Sequence, residues 1–219
     1  MSLFFSKKME VINLNDKKER KNNKRNIRVG EINYNNFGSE IKITNYRNTN
    51  DIDVYFPKYN YTCKHNTYDN FVNGRIKCPY EKRVYGHGYI GVGKYNYLEH
   101  KDIYSRWSHM LCRSYDEKYH LEKPSYKDCE VCNEWLNFQA YAKWHVQIYY
   151  PIEGEVMALD KDLFGNSKIK IYSPKTCCFL PMKINSVISS TNNKKKLINV
   201  ADEYKGRIPN YIYQRLIEL

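Results

Sequence analysis

The stretch from Tyr104 to Asn185 constrains this chain most, because it sets two tryptophan-bearing helical patterns ahead of a strand pair and a short helix. Asp102 to Asp116 places Ile103, Trp107, Met110 and Leu111 at i, i+4, i+7 and i+8, which is one face of an α-helix and marks the four as core. On the same segment Arg106, His109 and Arg113 fall at i, i+3 and i+7, a basic ridge along another face. Pro124 breaks the chain, and Cys132 to Tyr149 resumes helical spacing through Trp135, Phe138, Ala142 and His145. Residues 155–163, a turn at 165–168 and residues 169–173 read as a β-hairpin. Pro181 suits the first turn of a helix whose Met182, Ile184 and Ile188 pack back.

Either side of this stretch the pattern differs. Residues 13–26 are basic and nearly devoid of apolar side chains, as suits a solvated helix or an arm that orders on nucleic acid. Residues 40–46 and 51–56 alternate apolar and polar side chains, the mark of half-buried strands. Gly86, Gly88, Gly91 and Gly93 fall among aromatic and aliphatic residues with no helix opening behind them, so they fit bulges and close backbone approaches better than a phosphate cradle. Beyond a polar stretch at 191–196, the last residues divide into two short helices, the second opening at Pro209. The fold class expected is α+β. A basic arm at 1–29 and a small β-rich module at 30–97 precede a helical module ending in two strands and a helix at 98–190, then a helical tail at 191–219.

The charge balance narrows the partner. With 36 Lys and Arg against 24 Asp and Glu, the net charge of +12 favours a polyanion, since cations that neutralise phosphates release counterions. Arg75, Lys77, Lys82, Arg83 and Lys94 are interleaved with Tyr80, Tyr85 and Tyr89, so rings could stack on bases while cations take phosphates. Arg106 and Arg113 extend this set of candidate nucleic-acid contacts. The 22 tyrosines supply large apolar rings that make up for few aliphatic side chains. Seven cysteines, an odd number with no secretory signal ahead of them, point to a reducing cytoplasm, and no stretch suits a membrane span.

Two motifs carry chemistry. Cys129 and Cys132 have a zinc-like spacing, but a structural site needs two more ligands and only Cys177, Cys178, His109 and His120 are on offer, so zinc is not expected. Asp160 and Asp162 flank Lys161; on a strand the two carboxylates would share one face and the lysine take the other. Such oxygen ligands suit Mg²⁺ beside a phosphate, with a lysine to stabilise developing charge.

Residues 100–190 are similar to the phage-encoded HNH-type homing endonuclease family. The likeness is carried by Trp107 to Met110, Val131 to Trp135 with Phe138, Leu159 to Asp162, Tyr172 to Cys177, and Ile184-Asn185, in order and with compatible gaps. Residues 30–97 resemble the β module that precedes this region in some phage proteins. Residues 200–216 resemble the end of an apetala-type DNA-binding domain, of which the strands are missing here. The resemblance implies a two-strand-and-helix site of the His-metal finger type. Such a site nicks or cuts duplex DNA with one Mg²⁺ or Mn²⁺ inside a bacterial host cell. In the family a histidine base follows the metal-binding aspartate and a later asparagine is the second ligand. Carried over, Asp160 matches the aspartate, while Lys161 stands at the histidine position and Thr176 at that of the asparagine.

Two readings follow. In one the chain is a metal-dependent endonuclease, with Asp160, Asp162 and Asn185 around the metal and Lys161, His109 or His145 near the phosphate. In the other it is an inactive nuclease derivative that binds nucleic acid or a host protein, as a phage regulator or an inhibitor of a host defence complex such as CRISPR.

Overall fold

A computed structural model of the chain describes residues 28–165, 170–190 and 193–219. The basic run at 13–26 lies outside them, and with it nearly all of the arm expected at 1–29. The fold is α+β, and the chain divides between Cys78 and Pro79 into two compact units.

The first unit is an antiparallel meander of four strands, β1 (Ile32–Tyr34), β2 (Glu40–Asn48), β3 (Asp51–Phe56) and β4 (Tyr61–Asn66), followed by the short helix α1 (Tyr68–Val72). The expected alternation holds on β3, where Ile52, Val54 and Phe56 are fully buried between more exposed neighbours. On β2 it holds through Ile41 and Ile43; a register shift between Ile43 and Asn45 then turns Tyr46 inward. Phe71 of α1, Ile76 and Cys78 close this core. Each such fully buried aliphatic or aromatic side chain is worth roughly 1.5–3 kcal/mol relative to exposure. Asn35 fixes the first turn: its carboxamide accepts from Phe37 and Ser39 N–H and donates to Ile76 O.

The second unit begins with residues 79–97, which the sequence pattern assigned to the β module but whose backbone is tied to the helices. Tyr89 N–H donates to Leu136 O, and Phe138 N–H donates to Tyr89 O, each at 2.9 Å. Gly88, Gly91 and Gly93 are close approaches, as expected, while Gly86 has open space where a Cβ would stand. A Cβ on Gly88 would lie 2.3 Å from Leu111 Cδ1 and one on Gly91 2.3 Å from Asn137 Oδ1. Helices α2 (Lys101–Tyr115) and α3 (Glu117–Glu122) follow, with Asp116 between them capping Lys118 and Tyr119 N–H. Ile103, Trp107, Met110 and Leu111 are all buried on α2. The helical pattern at 132–149 is realised in two pieces, a 3₁₀ turn at Asn133–Leu136 and α4 (Phe138–Ile148). The break is at Asn137, whose extended backbone lets its side chain cap Gln139 N–H.

The strand pairing corrects the expected hairpin. Strand β6 (Met157–Asp160) pairs antiparallel with β8 (Cys178–Pro181), while β7 (Ile171–Tyr172) leaves to pair parallel with β5 (Glu130–Val131). The reason is burial on both faces. Cys177 and Phe179 join the tryptophan-rich core under α2 and α4, while Cys178 and Leu180 join a second core made by α5 (Met182–Ser190), α6 (Lys194–Glu203) and α7 (Asn210–Glu218). The continuous apolar run at 178–180 suits that doubly covered place; the alternating residues 169–173 do not. Ile184 and, partly buried, Ile188 pack back on the second core as expected, but Met182 is exposed and Val187 is buried beside them. Lys194 to Lys196, expected in a polar hinge, form the first turn of α6 behind an Asn193 cap. Among the described residues no helix is long and apolar enough to cross a membrane.

Candidate functional site

The two strands and following helix gather the acidic motif at one cleft. Asp160 ends β6 and is 4% exposed. Its Oδ1 accepts from Asp162 N–H at 3.1 Å and from Leu163 N–H at 2.8 Å, folding the chain sharply after the strand. Leu163 is buried in the second core, and Arg215 of α7 donates from Nε to its carbonyl at 3.1 Å. The C-terminal helix thus holds the turn that carries the motif.

Because that turn starts at Asp160, only the first acid lies on a strand, and the expected split of carboxylates and lysine onto opposite faces does not occur. Asp160, Lys161 and Asp162 all line one cleft of about 330 Å³, with Asn185 of α5, Arg113 of α2, and Lys170. Lys161 Nζ donates to Asp162 Oδ1 at 2.7 Å. Tyr126 and Tyr172 form the wall: the Lys161 ammonium sits 5.6 and 5.7 Å from their ring centres, and the Arg113 guanidinium 5.9 and 5.3 Å. These rings hold two like charges toward the same space through cation–π attraction. Neither tyrosine stood out as a site residue in the sequence, although Tyr172 opens one of the stretches that carry the family likeness.

The electrostatics separate the roles. Burial pushes the Asp160 carboxyl above the ordinary carboxylate range, more than the two amide bonds pull it down. Burial alone would lower the Lys161 ammonium, but its bond to Asp162 and the surrounding groups win and leave it raised. Lys161 is therefore a fixed cation at neutral pH and not a proton acceptor. The carboxylates of Asp160 and Asp162 and the carboxamide of Asn185 form an all-oxygen donor set. Asp160 Oδ1 is committed to the two amides while Oδ2 takes no hydrogen bond among the described residues. Oxygen donors of this kind are what a hard divalent cation such as Mg²⁺ or Mn²⁺ takes.

The other candidates fall elsewhere. His145 is in the aromatic core of α4, 3% exposed, stacked on Tyr149 and edge-on to Phe179. Neither of its ring nitrogens has a hydrogen-bond partner among the described residues, and burial lowers its pKa to about 4; it is no part of the cleft. His109 is exposed on α2 and lines an adjoining cleft, together with Arg106 and Arg113, so the basic ridge is real. Arg106, however, is built in: it donates to Met157 O at 2.6 Å and to Tyr149 OH at 3.3 Å. Thr176, at the asparagine position, commits its hydroxyl to Ile171 O at 2.6 Å and accepts from Ser173 N–H, which ties a turn and leaves no ligand there.

Arg75 and Lys77 belong to the first unit, where Arg75 pairs with exposed Asp69 and Lys77 lies by Phe37. Lys82, Arg83 and Lys94 belong to the second; Lys82 and Lys94 are exposed and Arg83 is half-buried. None of the five lines the Asp160 cleft or the one beside it. Cys129 and Cys132 flank β5, and burial raises both thiols. Against family models, curated proteins and solved structures the chain finds no match.

Proposed function

We propose that the chain binds a nucleic-acid phosphodiester in the Asp160 cleft and belongs, by the likeness of residues 100–190, with HNH-type DNA endonucleases. The observation that carries this reading is the convergence of Asp160, Asp162 and Asn185 with Arg113, Lys161 and Lys170 in one cleft, drawn from α2, the β6 turn, the start of β7 and α5. Three cations can take the non-bridging oxygens of a phosphate, and duplex DNA is the substrate that the family resemblance implies. Asp160, Asp162 and Asn185 would hold one Mg²⁺ or Mn²⁺, which when bound supplies Lewis acidity and a more acidic water. Lys161, kept protonated by Asp162, neutralises charge on the phosphate, and Arg113 clamps it beside the tyrosine wall.

A second reading, binding without cutting, is favoured by one specific feature. Among the described residues no histidine lines this cleft, so the base that the family places after its aspartate has no counterpart there. On that reading the chain grips nucleic acid, or a host protein complex, as a regulator or inhibitor. Purified protein incubated with supercoiled plasmid and Mg²⁺ or Mn²⁺ separates the two. Nicking that disappears in Asp160→Ala supports the endonuclease. Salt-sensitive binding without nicking supports the second reading, and nicking that survives the substitution removes the cleft from the chemistry.

A further inference from the structure

We propose that the cleft beside the phosphate site is a nucleobase pocket, an inference that rests on reading the Asp160 cleft as the phosphodiester site. The two clefts share Arg113 and Leu159 as a common wall, so a ligand can occupy both at once. Their chemistry changes across that wall. The first is lined by five charged side chains; the second has the two arginines Arg106 and Arg113 but otherwise presents mainly Tyr85, Tyr119, Ala158 and Met182. A nucleotide has the same division, an anionic phosphate joined to a flat, mostly apolar base. The second cleft, about 470 Å³, falls within the size of sites that take small aromatic ligands, on the order of 300–1,000 Å³.

The pocket is also built in advance. Tyr85, at φ +50°, sits at the tip of a loop closed by Val84 N–H to Gly88 O at 3.0 Å and Gly88 N–H to Val84 O at 2.9 Å. That loop is pressed on Trp107 and Leu111 so closely that Gly88 admits no side chain. Met182, 45% exposed, and Tyr85, 38% exposed, leave apolar surface open, which a stacked ring would cover. Exposed His109 lines the same cleft and can meet the polar edge of a base. A base in such a place must leave its stack, which costs least in single-stranded or mismatched nucleic acid.

The test compares a short single-stranded DNA with an abasic oligomer of equal length and charge, by fluorescence anisotropy on the full chain. The natural strand is expected to bind tighter, by roughly 5- to 100-fold for a base stacked on aromatic side chains. Tyr119→Ala should erase most of that preference while leaving the abasic oligomer's affinity unchanged. Ala158→Leu, which narrows the same cleft from a strand position, should do likewise. Lys161→Ala should weaken both ligands together. Equal binding of the two oligomers, or a preference that survives both pocket variants, would overturn the base pocket and leave the phosphate site standing. No binding of either oligomer would overturn both.

Discussion

Each unit of the protein carries an Asp-x-Asp sequence beside a cation, and the two have opposite fates. In the first unit Asp51 and Asp53 lie on a regular strand with Ile52 buried between them, the alternation that the sequence pattern assigned to Asp160 and Asp162. Both carboxylates are gripped by Arg47 through four hydrogen bonds of 2.6 to 2.9 Å, and His65 joins Asp51 at 3.0 Å. Among the described residues these three form the one group of acidic, thiol or imidazole side chains close enough to share a metal, yet a guanidinium already fills the space between the acids. Arg47 holds both carboxyls below their ordinary range. In the second unit Asp160 ends a strand and Asp162 lies in the turn after it, the lysine reaches only Asp162, and Asp160 is pushed upward by burial with an Oδ2 that takes no hydrogen bond among the described residues. Spacing in sequence thus does not decide whether two acids stay open to a ligand; the reach of the nearest cation does.

The largest expected effect separates the two motifs by function. Asp160→Ala should reduce any Mg²⁺-dependent plasmid nicking on the order of 100-fold or more, as loss of a group acting on transition-state charge does. Asp51→Ala should leave it unchanged. Equal losses in the two variants would erase the distinction.

A second expectation concerns His145, the imidazole that the second unit uses as core. With its pKa lowered to about 4 against an ordinary 6.5, the folded state prefers neutral His145. Its contribution is complete above pH 6.5 and is lost as pH falls toward 4, up to about 3 kcal/mol at the limit. Urea melts at pH 7 and pH 4.5 should show His145→Phe losing less stability on acidification than the native chain. They should also show little loss at pH 7, since neither ring nitrogen has a hydrogen-bond partner among the described residues. A variant as acid-sensitive as the parent would contradict the assignment.

Gly88→Ala tests the strap that shapes the adjoining cleft. Its new methyl meets Leu111 and Trp107, and overpacking of this kind costs about 1–3 kcal/mol. Thermal melting reads it, and an unchanged midpoint would mean the strap gives way freely. The smallest effect is expected at the closed motif. Arg47→Ala should lower the melting temperature modestly and make it respond to added Mn²⁺, whereas the native chain should not respond through this site. A variant indifferent to the ion would show that the guanidinium is not what keeps metal out.

Much of the frame was legible in the sequence, and the reasons are physical. The periodicities of α2, β2 and β3 are strong and local, so Trp107, Leu111, Ile43 and Val54 could be placed inward from spacing alone. The pairing of β6 was not legible. It depends on which segment can be buried on both faces, a choice made by α4 on one side and α6 and α7 on the other. The Asp160 turn was missed for a related reason: Leu163 is drawn into the second core and Arg215 pins its carbonyl, contacts that span 52 residues. Asp160, Lys161, Asp162 and Asn185 were named from residue type and likeness, and the fold brings them to one cleft. Tyr126 and Lys170 could not be named, because their part comes only from where β5 and β7 meet.

The salt dependence of DNA binding tests the central claim most directly. Measured for the native chain and Lys161→Ala over a range of NaCl concentrations, the log–log slope should become shallower by about one phosphate contact in the variant. Parallel lines for the two proteins would mean that Lys161 meets no phosphate and that this cleft is not where the polyanion lies.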